Sequence, residues 1–248
     1  MVGAGTALNV LAVLAGSGIG LLLGHRLPQH TRDVVTDGLG LVTLLVAALS
    51  AAAVLDQALT DAVGTSAPVL IVLGAVLVGG ISGSLVRIED RLRGVGGALQ
   101  RRLGGRDRGD AARERFVQGF LTASLLFCVG PLTVLGSLSD GLGLGIDQLA
   151  LKSVLDGFAS VAFAASLGVG VMASALSVAV VQGGLTLAGF LLGDLLPAAH
   201  VAALTATGGL LLVGVAVRLL RIREVPVGDL LPALLVAPVL VDVVVRLR

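Results

Sequence analysis

The stretch LAGSGIGLLLGHRLP, residues 14–28, aligns without gaps with GGLTLAGFLLGDLLP, residues 183–197. Both are apolar segments that end in a Leu-Pro pair, and the match continues downstream, where Gly40 falls on Gly209. The correspondence predicts that the chain contains two copies of one unit. The alternative is chance, because leucine, glycine and alanine dominate apolar segments of every kind.

Composition places the chain in a membrane. Of its 248 residues, 56% are hydrophobic and 13% are charged, whereas soluble domains carry about 25% charged residues. The net charge is +1 and the chain has no Trp or Tyr, so we expect lipid as its surroundings and no nucleic-acid partner. A single cysteine, Cys128, excludes an intrachain disulfide. Three scattered histidines lie in short polar connections, which predicts no metal site and no cofactor: His25, His30 and His200.

Eight apolar runs have the length of a membrane span, since a hydrocarbon core of about 30 Å takes about 20 helical residues. We therefore expect an all-α bundle of transmembrane helices that forms one integral membrane domain, residues 1–248. Runs four and five could be broken or re-entrant. The runs lie near residues 4–24, 36–55, 67–86, 117–137, 151–172, 174–195, 201–220 and 227–245.

The arginines predict the orientation, because cytoplasmic loops collect basic residues. They follow the first, third and seventh runs, whereas aspartates occupy the opposite connections and only Arg246 and Arg248 fall on the other side. We expect an inner-membrane protein with its N-terminus outside and a cytoplasmic basic loop at 87–115. Mixed charges and paired glycines are typical of a solvated loop with a short amphipathic helix at the interface. A site for a partner or for lipid headgroups is the alternative.

The alignment divides the chain into a first repeat of three helices, 1–86, two central segments, 116–173, and a second repeat of three helices, 174–248. Five spans separate equivalent helices, so the copies are predicted to be inverted, an arrangement common among secondary transporters. Small residues at four-residue spacing predict close helix packing, compatible with a homodimer: Gly16, Gly20 and Gly24 in one helix, Gly189 and Gly193 in another.

The fourth run contains a predicted break. Pro131 follows Gly130, and a proline inside a helix removes a backbone donor and leaves carbonyl groups to be satisfied otherwise. At membrane depth such a break is tolerated only where protein or a water-filled cavity covers it. Cys128 lies beside the break, and we include all three residues in the candidate path.

The fifth run adds the lone lysine of the chain. In LKSVLDG, residues 151–157, Lys152 precedes Asp156 by four residues, and Ser160 continues the same helical face. Asn9 and Gln182 lie in the first helices of the two copies. Polar groups at membrane depth usually face the bundle interior and often mark a transport path. The alternatives are an interfacial salt bridge for the charged pair and helix-zipping contacts for the two amides.

Several strings resemble a known family. They are GTALNVLAVLAGSGIG at the N-terminus, SLLFCVGPLTVLGSLSDGL at 124–142, LKSVLDGFASVAFAASLGVGV at 151–171 and VVQGGLT at 180–186. They are similar to the YdfK/YqgA-like bacterial inner-membrane proteins, a domain of unknown function. The resemblance covers nearly the whole chain and implies a polytopic inner-membrane protein, one sometimes described as a sodium channel or pump, with no established substrate.

The leading hypothesis is an ion or small-solute transporter or channel that works by alternating access between inverted halves. Asp156 would bind a cation or proton, and Lys152 would set its charge state. The alternative is a non-transporting scaffold or sensor that acts through the arginine-rich loop. We expect no enzyme, because GxSxG, HExxH and GxxxxGK[ST] motifs are absent. The candidate path comprises Asn9, Cys128, Gly130, Pro131, Lys152, Asp156, Ser160 and Gln182.

Overall fold

A computed structural model describes residues 2–24, 28–103, 110–128, 131–192 and 197–247. Over these ranges the chain is helical and contains no strand, with one 3-10 helix at Ala52–Leu55. The α-helices are α1 (Ala4–Gly24), α2 (Gln29–Ala51), α3 (Gln57–Val63), α4 (Ala67–Val86), α5 (Ile88–Leu103), α6 (Asp110–Cys128), α7 (Pro131–Gly141), α8 (Asp147–Leu167), α9 (Gly170–Leu192), α10 (Ala198–Leu219), α11 (Val227–Leu230) and α12 (Ala233–Leu247).

Seven helical segments of the described residues are long and apolar enough to cross a membrane, and the bent pair α6–α7 makes an eighth. The predicted all-α, multi-pass architecture is confirmed. The fourth run is broken where the sequence predicted, with a bend of 63° between α6 and α7. Pro131 is the first residue of α7, a position where a missing N–H costs no helical hydrogen bond.

The fifth span lies earlier in the chain than the hydropathy pattern predicted. Gly168 has a φ of +84°, in the left-handed region, and it ends α8 after Leu167; glycine is the residue that adopts this conformation without strain. The predicted bounds, 151–172, were therefore wrong by four residues at the start and five at the end, since α8 covers Asp147–Leu167. The shift moves Asp156 from the edge of its helix to the middle.

The helices form two compact units. The first unit contains α1, α2 as far as Leu39, α5 from Leu92, α6, α7 from Leu132, α8 and α9. The second unit contains α2 from Gly40, α3, α4, the start of α5, α10, α11 and α12. All the described candidate residues except Pro131 belong to the first unit.

The glycine stripe of α1 lies directly against α8. A Cβ atom added to Gly16 would overlap the carbonyl oxygen of Gly157, and one added to Gly20 would overlap that of Val161. Glycine thus lets the two backbones touch, which supplies dispersion contacts where lipid removes the hydrophobic drive for association. The contacts advance in the same direction along both helices, so α1 and α8 are parallel.

The bent pair α6–α7 reaches from one end of the first unit to the other. A guanidinium nitrogen of Arg115, near the start of α6, donates to the carbonyl oxygen of Ser166 at the end of α8, at 2.5 Å. Asp140, near the end of α7, bonds to the first residues of α1. Because α1 and α8 are parallel, these two ends are opposite. The fourth run therefore crosses the unit and does not turn back as a re-entrant loop.

Helices that the sequence alignment treats as equivalent pack antiparallel within each unit. In the second unit, a Cβ on Gly40 would contact Leu220, and a Cβ on Gly209 would contact Ala51. These are one contact seen twice, because an offset of 169 residues converts Gly40 into Gly209 and Ala51 into Leu220. The inverted repeat stays a prediction, and this reciprocity supports it.

The basic segment 87–115 is more ordered than a solvated loop. Most of it is helical, as α5 and the start of α6. At the start of α5, Glu89 is buried, ion-paired with Arg218 at 3.1 Å, and accepts a hydrogen bond from the backbone N–H of Gly228 at 2.7 Å. The sequence predicted a solvated loop with a short amphipathic helix; a helix is present, but its first turn is buried, because the Glu89 carboxylate satisfies two buried donors at once.

Candidate functional site

The charged pair of α8 lies near the middle of its span. Asp156 is nine residues after Asp147, the first residue of α8, or about 13.5 Å at 1.5 Å per residue. The ammonium of Lys152 donates to Asp156 Oδ2 at 2.5 Å, and the two side chains are 7% and 10% exposed. The predicted salt bridge is confirmed. The interfacial alternative, which depended on a helix start at residue 151, stays a prediction, although Asp156 lies in the middle of α8.

Asn9 of α1 completes the contacts of this carboxylate. Its Nδ2 donates to Asp156 Oδ2 at 2.9 Å, and the side chain is fully buried. A carboxylate accepts hydrogen bonds, so the Asn9 carbonyl oxygen, Oδ1, points elsewhere as an acceptor. That oxygen has no hydrogen-bond partner among the described residues. Both recorded bonds to Asp156 end on Oδ2, and Oδ1 takes part in neither.

Gln182 faces the same level of the unit from α9. The Oγ1 atoms of Thr6 and Thr186 form a 3.0 Å hydrogen bond, and a Cβ added to Gly18 would lie 3.9 Å from the Met172 side chain, so α1 and α9 are antiparallel. Gln182 precedes Thr186 by one turn and Asn9 follows Thr6 by about one turn, so the two amides lie at one level. Gln182 is fully buried, and neither of its amide atoms has a partner among the described residues.

The remaining candidates border this group. Ser160, one turn beyond Asp156, is fully buried, and its hydroxyl has no partner among the described residues. Cys128 is half-buried at the end of α6. Gly130 lies outside the described residues, and of Pro131 the structure describes the backbone alone.

The end of α6 is held by local contacts. Thr133 Oγ1 donates to the carbonyl oxygen of Phe127 at 3.1 Å and thereby satisfies an acceptor that the helix break releases. The Phe127 ring packs edge-on against Phe163 of α8, with centroids 6.4 Å apart. Protein therefore packs around the end of α6 on the described side of the break.

Sequence reasoning missed Asp140, which it assigned to a connection outside the membrane. The carboxylate is buried and accepts from the backbone N–H groups of Gly3, Gly5 and Thr6 at 3.0, 3.0 and 3.3 Å. It caps the first turn of α1, whose N–H groups have no partner within the helix and carry partial positive charge. The one hint in the sequence was that α1 has no acidic residue in its own first turn, which left its N–H groups without a local acidic acceptor.

Among the polar contacts of the second unit, one joins α10 to α12. His200 Nε2 is 2.9 Å from Asp242 Oδ1. His200 and His30 lie in the first turns of α10 and α2, so the assignment of these histidines to polar connections was wrong. His25 lies outside the described residues. Asp242 is 58% exposed at its side chain and belongs to the second unit, whereas Asp156 belongs to the first.

Comparisons with known proteins agree with this membrane architecture. A family described as "Protein of unknown function (DUF554)" matches residues 4–242. "Uncharacterized protein YqgA" of Escherichia coli (strain K12) is 32% identical over 235 residues, covering 94% of each chain. "Uncharacterized membrane protein YdfK" of Bacillus subtilis (strain 168) is 25% identical over 240 residues, covering 97% of this chain and 96% of that protein.

None of the solved structures matches the chain. The family match runs nearly end to end and includes every candidate residue on α1, α6, α8 and α9. The chain belongs to the DUF554 family of proteins of unknown function.

Proposed function

We propose that the protein moves a small cation or a proton across the inner membrane, with Asp156 as the binding group and Lys152 as its resident counter-charge. One observation carries this proposal. A buried carboxylate at the middle of a span is ion-paired within the first unit, beside amide and hydroxyl groups that have no partner among the described residues. Ionisable groups at this depth are expensive and usually functional.

Stability alone does not explain the arrangement. Moving an ion pair out of water costs several kcal/mol per ion, and packed apolar residues of similar volume are often as stable or more so. Asn9 and Gln182 add to the cost, because buried amide atoms without partners lower stability by about 1–3 kcal/mol each. If the bundle were only a scaffold, apolar residues at these positions would make it as stable or more stable.

The proposed mechanism uses the Lys152 ammonium as a placeholder. In the structure the ammonium bonds to Asp156 Oδ2, and the Asn9 amide bonds to the same oxygen, so neither of these bonds uses Oδ1. An arriving cation binds the carboxylate, and the carbonyl oxygens of Asn9 and Gln182 provide the acceptor groups that hard cations prefer. Access from the two sides would alternate between the inverted copies, for which the antiparallel contacts of equivalent helices are the supporting observation.

The test is flux through purified protein in liposomes, with sodium, potassium and proton gradients measured separately. Asp156→Asn keeps the shape of the side chain and removes its charge, so we expect at least a tenfold loss of flux. Asp242→Asn is the matched control, because it makes the same change at an exposed carboxylate, and we expect flux within twofold of wild type. Equal flux in the two variants would remove Asp156 from the path.

Failure of every ion to move would favour the scaffold or sensor alternative. In that case, replacing the arginines of α5 should change the binding of a partner protein. The structure places α5 from Ile88 to Leu103, so the substitutions can be confined to the helix without altering the membrane spans.

A further inference from the structure

Five buried serines of the first unit fall into two classes. Ser153 and Ser174 donate to carbonyl oxygens of their own helices, those of Leu149 and Val171, each at 2.6 Å. This back-bonding is the usual way in which a helical serine satisfies its hydroxyl in a dry interface. Three other buried serines, whose hydroxyls have no partner among the described residues, do not use it: Ser17, Ser137 and Ser160.

The three serines that carry unpartnered hydroxyls lie at levels that fall within one region along α8. Ser160 is on α8 itself, and Ser17 follows Gly16, whose added Cβ would be 3.1 Å from Ser160 Cβ. Ser137 follows Gly136, whose added Cβ would be 3.0 Å from Leu149. The region therefore extends from the level of Leu149 to that of Ser160, eleven residues or about 16 Å of helix.

The charged pair lies inside this region. Lys152 and Asp156 fall between Leu149 and Ser160 on α8. Asn9, which bonds to Asp156, and Gln182, which lies at the level of Asn9, add amide atoms without partners among the described residues. Buried polar groups are satisfied by protein or by ordered water in the great majority of native structures. The three serine hydroxyls do not bond to carbonyl oxygens of their own helices. We infer that their partner is water or a hydrated ion.

We propose that the first unit encloses a water-filled path that runs about one helical turn to either side of the Lys152–Asp156 pair, lined by Ser17, Ser137, Ser160, Asn9 and Gln182. Its occupants are water molecules and a small monovalent cation that keeps part of its hydration shell. Only the claim that a cation moves along the path depends on the proposed function, because hydration of the serines does not require transport.

Silver ion is the probe, because it is a small monovalent cation that binds thiols. In a Cys128→Ala background, single cysteines replace the unpartnered serines in the variants Ser17→Cys, Ser137→Cys and Ser160→Cys. Ser153→Cys and Ser174→Cys are the matched controls, since they are equally buried serines on the same helix bundle with self-bonded hydroxyls. The protein is exposed to Ag⁺ in liposomes, denatured, and labelled with a maleimide that reports the unreacted thiol.

We expect Ag⁺ to react at least tenfold faster with the three path cysteines than with the two controls. Equal rates at all five positions would overturn the path. Ag⁺ access without flux of any ion would support the path and reject transport. Flux without Ag⁺ access would support transport and reject the path.

A second measurement covers cysteine variants that fail to fold. Ser160→Ala removes a hydroxyl that is hydrated on this proposal, so its thermal midpoint should equal or fall below that of wild type. If the site were dry, removal of an unpartnered hydroxyl would raise the midpoint. A midpoint for Ser160→Ala above wild type would therefore contradict the proposal, with Ser153→Ala as the reference for loss of a self-bonded hydroxyl.

Discussion

Removing one member of the Lys152–Asp156 pair should be far more damaging than removing both. At the observed 2.5 Å separation, the Coulomb attraction is about 7 kcal/mol at an effective dielectric constant of about 20. Desolvation of the two ions costs several kcal/mol each, so the intact pair contributes little net stability. Lys152→Met leaves the Asp156 carboxylate buried with Asn9 as its remaining recorded donor. We expect this variant to lose about 3–5 kcal/mol of unfolding free energy.

The double variant Lys152→Met, Asp156→Leu removes both charges and fills the space with apolar atoms. We expect its stability to lie between that of wild type and about 4 kcal/mol above it, as for other buried pairs replaced by hydrophobic residues. The four proteins of the cycle, the single variant Asp156→Leu included, are compared by denaturant unfolding in one detergent. Additive effects of the two single substitutions, with no recovery in the double variant, would refute the claim that these charges depend on each other.

Three further predictions concern α1 and its neighbours. Gly20→Val should prevent close packing on Val161 and abolish the monodisperse protein in size-exclusion chromatography, whereas Gly18→Ala, whose added Cβ lies 3.9 Å from its nearest neighbour, should fold normally. Asp140→Ala removes three acceptor contacts from the start of α1 and should lower unfolding free energy by about 1–2 kcal/mol, measured against wild type in denaturant. Gln182→Leu should reduce flux, with a thermal midpoint equal to or below that of wild type because the path loses a hydrated amide; a fall in midpoint with unchanged flux would identify Gln182 as a helix-zipping residue.

Much of the site could be predicted because polar residues are conspicuous in so apolar a chain. Asn9, Gln182 and the Lys152–Asp156 pair stand out in segments that are otherwise leucine, valine, alanine and glycine. Their cost in lipid is a property of residue type, so it can be recognised without coordinates. The break before Pro131 was equally predictable, because proline lacks the donor that a helix interior needs.

The position of Asp156 along its helix and the hydrogen-bond partners of Asp140 could not be predicted in the same way. Hydropathy does not distinguish Gly168 at the end of a span from glycines inside one, so the fifth span was misplaced and Asp156 was put at its edge. Asp140 was missed because its partners, the N–H groups of Gly3, Gly5 and Thr6, are more than 130 residues away in the chain. No local pattern contains that separation.

The sequence by itself determined that the protein is a multi-pass helical membrane protein with a break in its fourth span and an i, i+4 charge pair in its fifth. These features follow from composition, periodicity and backbone chemistry, which are local. The tertiary structure alone decided that Asn9 shares the Asp156 carboxylate with Lys152, that Gln182 lies at their level, and that some buried serines bond within their helices while others do not. Those facts depend on which helices touch and in what register. The glycines of α1 set the register with α8, because their lack of a side chain lets the two backbones touch.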